Sequence, residues 1–207
     1  HLFGSIIFGP VRSRRLGLSL GINLLPANKK ICTFDCVYCE CGWTDKTSAD
    51  GLPKATEVIA DLEKKLQEMQ TAGELPDAIT YAGNGEPTMH PEFDFIMQES
   101  VRLRNQYAPA AKITVLTNST QLHKQKVADE MYRVVDHNGY VCVSDFVIIN
   151  DIPEGLRKEA TAIAGSIGGA EKAEVFISYF QKTGCTQGGI AEVNKVELRN
   201  DLLEHYL

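Results

Sequence analysis

The sequence predicts an α/β fold in which parallel strands alternate with helices to form a partial, incomplete TIM-like barrel. Short and almost continuously apolar runs at residues 17–25, 78–82 and 113–116 are typical of strands covered on both faces. Residues 56–71 and 90–103, between these runs, place apolar side chains at helical spacing. This strand–helix order implies a parallel sheet with right-handed crossovers.

The ends of these elements carry their own signals. Residues 5–8 form a short apolar run that could be an edge strand, and residues 9–15, with Gly-Pro and three arginines, are expected to form a loop. Thr56 is the expected N-cap of the first helix, and Gly73 its end. The pair His90-Pro91 is expected to open the second helix, because proline suits a first helical turn.

The later sequence predicts a mixed α/β segment. Residues 140–149 are rich in valine and isoleucine and read as a strand. Further helices are expected at residues 124–135, 153–165, 170–181 and 197–207.

Composition limits the classes of function. The chain has 207 residues, 43% of them hydrophobic, which is enough for a core, and a net charge of −6 gives no global basic field to attract nucleic acid. Arg12, Arg14 and Arg15 form a local basic patch that we expect beside the site. No apolar run could span a bilayer and no signal peptide is recognisable, so we expect a cytoplasmic protein with no membrane partner. The missing initiator methionine leads us to expect a truncated start.

Three of the six cysteines, Cys32, Cys36 and Cys39, fall within eight residues at the spacing C-x3-C-x2-C. Three thiolates on one loop can hold three irons of a four-iron, four-sulfur cluster and leave the fourth iron for another ligand. The alternative is a zinc site completed by Cys41. Without zinc, we expect Cys41 to be a thiol near the cluster rather than a ligand.

Other cysteines and histidines offer no second constellation. Cys142 lies in an apolar strand pattern and Cys185 in a loop, so both are expected to be structural. His90 is expected to be the N-terminal residue of a helix rather than a catalytic residue, and His123 and His137 have no partners in the sequence that suggest catalysis.

A glycine-containing turn follows the strand at residues 78–82. Gly83 and Gly85 would let the backbone approach a ligand closely, and the Glu86 carboxylate could accept charge-assisted hydrogen bonds from an ammonium group. The alternative is a tight strand-to-helix turn with Glu86 at a helix start.

Polar residues also follow the strand at residues 113–116. Thr117, Asn118 and Ser119 could contact a ligand, or they could cap the next helix.

The cysteine stretch, together with residues 8–26, 83–88 and 116–120, resembles the radical S-adenosylmethionine (SAM) superfamily, in particular iron–sulfur oxidoreductases related to tRNA wyosine-type enzymes. The resemblance extends over residues 3–122. It implies that Cys32, Cys36 and Cys39 ligate a [4Fe–4S] cluster, and that the amino and carboxylate groups of SAM chelate the open iron.

The same resemblance implies the remaining site residues. Tyr38 would pack near the adenine of SAM; the alternative is that it only shields the cluster from water. The turn from Gly83 to Glu86 would hold the amino group of SAM. Within that turn, Asn84 stands where the family usually has a second glycine. Asn118 and Ser119 would bond the ribose or carboxylate.

The implied reaction is a reductive cleavage of SAM. It yields a 5′-deoxyadenosyl radical, which abstracts a hydrogen atom from an unidentified substrate, a small molecule or an RNA base. The implied partner is an electron donor such as flavodoxin or ferredoxin.

Residues 130–148, 152–158 and 164–170 are similar to the C-terminal part of arsenite-type SAM-dependent methyltransferases. Ser166 replaces the cysteine of that family, and its glycine-rich SAM loop is absent. The sequence therefore predicts a radical SAM partial-barrel domain at 1–122 and a methyltransferase-like segment at 123–207. Two alternative functions follow, an arsenite-type methyltransferase and a non-catalytic iron–sulfur or zinc-binding protein.

Overall fold

A computed structural model describes residues 1–36, 39–45, 51–133 and 172–185, and it confirms the α/β class. In chain order the elements are β1 (Ile7–Ser13), β2 (Gly17–Ile22), α1 (Ala55–Ala72), β3 (Ala78–Tyr81), α2 (Phe93–Tyr107), β4 (Lys112–Val115), α3 (Gln125–Arg133) and α4 (Ala173–Gln181). The strands form an open sheet in the order β1-β2-β3-β4, and this sheet is consistent with a partial barrel.

The register of the sheet brings the carboxyl ends of three strands together. β2, β3 and β4 run parallel, and Ile22 pairs with Tyr81, which pairs in turn with Val115. The segments that follow these strands therefore leave the sheet at one edge, where the loops of α/β proteins carry function.

The core lies between one face of the sheet and helices α1 and α2. Its buried side chains come from alternating strand positions and from one stripe of each helix: Leu20, Ile22, Val58, Leu62, Leu66, Met69, Ile79, Tyr81, Phe93, Ile96, Met97 and Leu103. The ring of Tyr81 meets that of Phe93 edge to face, with centroids 5.7 Å apart. On the opposite strand face, the hydroxyls of Ser19 and Thr80 are hydrogen-bonded at 2.7 Å.

Helix α1 begins earlier than predicted. Its N-cap is Lys54 rather than Thr56, because the Glu57 carboxylate accepts a hydrogen bond from the Lys54 backbone N–H at 3.2 Å. The predicted end is confirmed, since Gly73 adopts a left-handed φ of 73° and its N–H bonds back to Gln70.

Helix α2 begins later than predicted, at Phe93 instead of His90-Pro91. A separate 3-10 turn at Pro87–Met89 comes first, capped by the Glu86 side chain. His90 is buried and follows this turn, and its Nε2 lies 3.0 Å from the carbonyl oxygen of Pro53. The expectation that His90 is the N-terminal residue of a helix is wrong, since His90 follows the 3-10 turn and lies before α2.

The predicted loop at residues 9–15 is partly strand. β1 extends from Ile7 to Ser13 and pairs antiparallel with β2, with a break between Phe8 and Val11 around a cis Gly9–Pro10 peptide. Because Arg12 pairs with Leu18, the arginine patch lies at the amino end of β2. β2 is roughly 16 Å long at about 3.3 Å per residue, so the expectation that the arginines flank the site is wrong.

A second, smaller apolar cluster joins α3 to α4. It is built from Leu122, Val127, Ala128 and Phe180, and Cys185 packs against it, which confirms the structural interpretation of Cys185. Cys142, His137 and the elements predicted at 140–149, 153–165 and 197–207 lie outside the described residues.

Across the ranges that the structure describes, none of the helices combines the length and the apolar character needed to cross a membrane.

Candidate functional site

The cysteine loop is attached to the turn that follows β3. Ile31, just before the loop, forms a parallel bridge with Gly85. Its N–H donates to the Asn84 carbonyl at 3.0 Å, and its own carbonyl accepts from the N–H of Glu86 at 3.1 Å. The two motifs that lie far apart in sequence therefore form one unit at the carboxyl edge of the sheet.

Gly83 and Gly85 are required by the protein's own packing. Their φ values are 131° and 135°, a region that side-chain-bearing residues rarely adopt. A Cβ at Gly85 would lie 2.6 Å from the carbonyl carbon of Ile31, and one at Gly83 would lie 2.7 Å from Cγ of Asn23. The space beside these glycines, which the sequence predicts for a ligand, is therefore occupied by Ile31 and Asn23 of the protein.

Glu86 is a buried carboxylate that is hydrogen-bonded within the protein, and its exposed fraction is 2%. One oxygen accepts from the N–H and hydroxyl of Thr88 and from the hydroxyl of Thr117 at 2.7 Å. The other accepts from the N–H of Asn118 at 2.7 Å. The geometry is that of the alternative reading, a turn with Glu86 at a helix start, and it links the end of β3 to the end of β4.

The Asn84 side chain anchors the N-terminal segment. It is fully buried, and its Oδ1 accepts from the N–H of Phe3 at 2.8 Å. Its Nδ2 donates to the carbonyls of Phe3 at 2.9 Å and Pro26 at 2.7 Å. These bonds explain why asparagine occupies the position at which the family that the chain resembles usually has glycine.

Replacing Asn84 with glycine is expected to lower the free energy of unfolding by about 2 kcal/mol, because buried backbone groups lose their partners. Chemical denaturation measures this loss. The exposed Asn28→Gly variant is the control, since it shares the backbone entropy cost of glycine at a position that is not buried. Unchanged stability combined with lost SAM binding would contradict the anchoring role.

The Cys32 sulfur receives two N–H groups. The Phe34 backbone N–H lies 3.4 Å from Sγ, and Nδ2 of Asn118 lies 3.5 Å from it. Burial raises the pKa of the Cys32 thiol, whereas the Phe34 N–H and the Lys30 ammonium act to lower it. N–H donors to cysteine sulfur are a recognised means of adjusting iron–sulfur centres.

The other cysteines of the loop are partly buried, and none of them forms a disulfide. The N–H of Cys39 donates to the Cys36 carbonyl at 2.9 Å. The Cys41 thiol donates to the Gly83 carbonyl at 3.4 Å. Burial, together with the neighbouring Cys39, raises the pKa of Cys41.

Lys30 is a site residue that was not predicted from the sequence. Its ammonium lies 3.3 Å from Oδ1 of Asp35 and donates to the Gly42 carbonyl at 3.1 Å. Burial acts to lower the pKa of Lys30, but nearby Cys39, Asp35 and Cys32 together raise it above its ordinary value. The sequence feature that could have identified Lys30 is the pair of opposite charges, Lys30 and Asp35, on either side of Cys32.

The residues after β4 contact the cysteine loop. Asn118 donates from Nδ2 to Oγ1 of Thr33 at 2.8 Å as well as to Cys32. Ser119 has a left-handed φ of 63°, and its N–H bonds to Thr117. The helix-cap alternative is not found, since α3 begins only at Gln125.

Tyr38 lies outside the described residues, and its place near an adenine stays a prediction.

The donor chemistry of the loop fits a [4Fe–4S] cluster. Three thiols share one short loop, N–H groups point at the Cys32 sulfur, and a buried ammonium lies nearby. Among the residues that the structure describes, no three His, Cys, Asp or Glu side chains are grouped to hold a single metal ion. Each thiolate of a cluster binds a different iron, so its sulfurs stand further apart than the ligands of one ion.

An open parallel sheet with a three-cysteine loop at the carboxyl ends of its strands defines the class of protein. The family model described as "Radical SAM superfamily" matches residues 30–144, which is more than half of the chain. The chain belongs to the radical SAM superfamily.

Individual relatives match a similar share of the chain. It is 32% identical over 127 residues to a protein named GTPase Obg from Brachyspira hyodysenteriae, a match covering 60% of this chain and 17% of that one. A UPF0026 protein of Helicobacter pylori is 32% identical to this chain over 59% of its length. A UPF0026 protein of Methanocaldococcus jannaschii is 31% identical over 61% of this chain. Each match covers 37% of the relative. The matched part is thus less than half of each relative's length. No solved structure gives a significant match.

The methyltransferase resemblance finds no support in these comparisons. The superfamily match extends to residue 144, into the stretch from residue 130 where that resemblance begins. Most residues that carry the resemblance lie outside the described part of the structure. The division at residue 122 stays a prediction.

Proposed function

We propose that this chain binds a [4Fe–4S] cluster through Cys32, Cys36 and Cys39 and uses it, together with SAM, as a radical SAM enzyme. The observation that carries the proposal is the hydrogen-bonded attachment of the cysteine loop to the turn after β3 and to Asn118 after β4. When bound, the cluster supplies one electron that cleaves SAM into methionine and a 5′-deoxyadenosyl radical. The proposed electron donor is a small redox protein such as flavodoxin or ferredoxin.

The contacts of the turn after β3 indicate which of its groups would bind SAM. The Asn84 side chain and the Glu86 carboxylate are engaged within the protein. We therefore assign to these side chains the shape of the turn, and to its backbone the contact with the SAM amino group. Asn118 and Ser119 are the proposed contacts of the ribose or carboxylate, and Tyr38 of the adenine.

Product analysis tests the proposal. The protein is purified without oxygen, reconstituted with iron and sulfide, and incubated with SAM and dithionite. Formation of 5′-deoxyadenosine supports a radical SAM enzyme. S-adenosylhomocysteine without 5′-deoxyadenosine would favour the methyltransferase alternative, and bound zinc or an inert cluster would favour a non-catalytic binding protein.

Single alanine variants test the ligand set. Cys32→Ala, Cys36→Ala and Cys39→Ala are each expected to lose the four-iron cluster, because each removes the only protein ligand of one iron. Cys41→Ala is the matched control and is expected to keep it, since its thiol bonds to the Gly83 carbonyl. Iron content and the visible absorbance of the cluster are the measurements. Loss of the cluster in Cys41→Ala would contradict this assignment.

A further inference from the structure

Lys30 is a buried lysine whose charge the proposed reaction does not yet use. Its side chain is only 1% exposed. Lysine is almost never buried to this extent without a partner, because taking an ammonium out of water is costly. The burial therefore points to a compensating set of negative groups around this amine.

The ammonium is bonded to both limbs of the cysteine loop. Lys30 precedes the first cysteine, its partner Asp35 lies between Cys32 and Cys36, and its second acceptor, the Gly42 carbonyl, follows the last cysteine. The Asp35 carboxylate also accepts from the N–H of Thr44 at 2.7 Å, which holds it in place. One cation is thus bonded to two segments of the loop.

The same ammonium interacts electrostatically with the cysteine sulfurs. It acts on Cys32, Cys39 and Cys41. Such an interaction is strong in a partly buried loop, where water screens charges less than in bulk solvent.

Three thiolates outweigh the positive charge of a [4Fe–4S] core, and reduction adds one more negative charge. A fixed cation stabilises the reduced state more than the oxidised state, so it raises the midpoint potential. We propose that the Lys30 ammonium is the built-in counter-charge of the cluster, which retains the cluster in the loop and raises its midpoint potential. This inference rests on the proposed function, and it makes Lys30 a positioning residue rather than a catalytic one.

Charge variants at both ends of the ion pair test the inference. Lys30→Met is expected to lower the midpoint potential of the reconstituted cluster, and Asp35→Asn to raise it, because they remove charges of opposite sign. Lys30→Arg keeps the charge and is expected to stay close to the wild type. Lys64→Met, which removes the same charge from an exposed position on α1, is the matched control and is expected to change nothing.

The measurements are iron and sulfide per chain and a dye-mediated potentiometric titration followed by electron paramagnetic resonance, with circular dichroism to check folding. Structural damage would shift the potential of Lys30→Met and Asp35→Asn in the same direction, whereas a counter-charge shifts them oppositely. If Lys30→Met loses its cluster, retention by Lys30→Arg supports the inference, and loss in both variants overturns it.

A failure of the proposed function and a failure of the Lys30 inference give different experimental results. A wild-type protein that takes up no four-iron cluster overturns the proposed function. A wild-type protein that does take one up, with a potential that responds neither to Lys30→Met nor to Asp35→Asn, overturns only the role of Lys30.

Discussion

Replacing Gly85 with alanine is expected to lower the free energy of unfolding by at least about 3 kcal/mol. The φ of 135° is essentially reserved for glycine and costs another residue about 1–3 kcal/mol. The new methyl group would also lie 2.6 Å from the carbonyl carbon of Ile31. Ile31 cannot retreat, because its N–H and carbonyl are both bonded to the turn that contains Gly85.

The Gly73→Ala variant separates the cost of backbone strain from the cost of the clash with Ile31. Gly73 also has a positive φ, 73°, but a Cβ there would meet no atom within 4 Å. Its cost is therefore backbone strain alone, about 1–2 kcal/mol. Urea denaturation of both variants measures the difference, and an equal loss in the two would contradict the proposed clash. We also expect Gly85→Ala to weaken cluster retention, because it separates the cysteine loop from its support.

The parallel part of the fold could be predicted because its signals are local. Continuous apolar runs mark strands covered on both faces, and the helical spacing of Val58, Leu62, Leu66 and Met69 marks the buried stripe of α1. β1 was partly missed because Gly9-Pro10 has the composition of a loop. Only pairing with β2, a tertiary contact, makes the segment a strand.

The arginine patch was misplaced for a related reason. The distance of Arg12 from the cysteine loop in sequence is short, but the antiparallel direction of β1 places Arg12 at the far end of β2. Neither the direction nor the pairing of a strand is encoded by local composition. The patch therefore could be located only from the sheet register.

The site could be predicted as a set of residues but not as a set of contacts. The residue types at Asn84 and Glu86 allowed either ligand binding or internal hydrogen bonding, and burial selected the internal bonds. Lys30 was missed because a lysine in a turn is normally solvated, and only the fold reveals that it is enclosed.

Glu86→Gln is expected to lower the free energy of unfolding by about 1–3 kcal/mol. Each carboxylate oxygen accepts from one backbone N–H, that of Thr88 on one side and that of Asn118 on the other. Whichever way the amide is oriented, its NH2 group faces one of these N–H donors. In either orientation one buried backbone N–H loses its acceptor, at about 1–3 kcal/mol.

The control is Glu92→Gln, an exposed residue six positions along, which is expected to change stability by less than about 0.5 kcal/mol. Hydrogen exchange of the Asn118 amide localises the effect, and we expect its protection to fall in Glu86→Gln and not in Glu92→Gln. These readouts also separate the two roles considered for Glu86. If the carboxylate bound the SAM ammonium instead of tying β3 to β4, Glu86→Gln would lose SAM affinity while its stability and its Asn118 protection stayed those of the wild type.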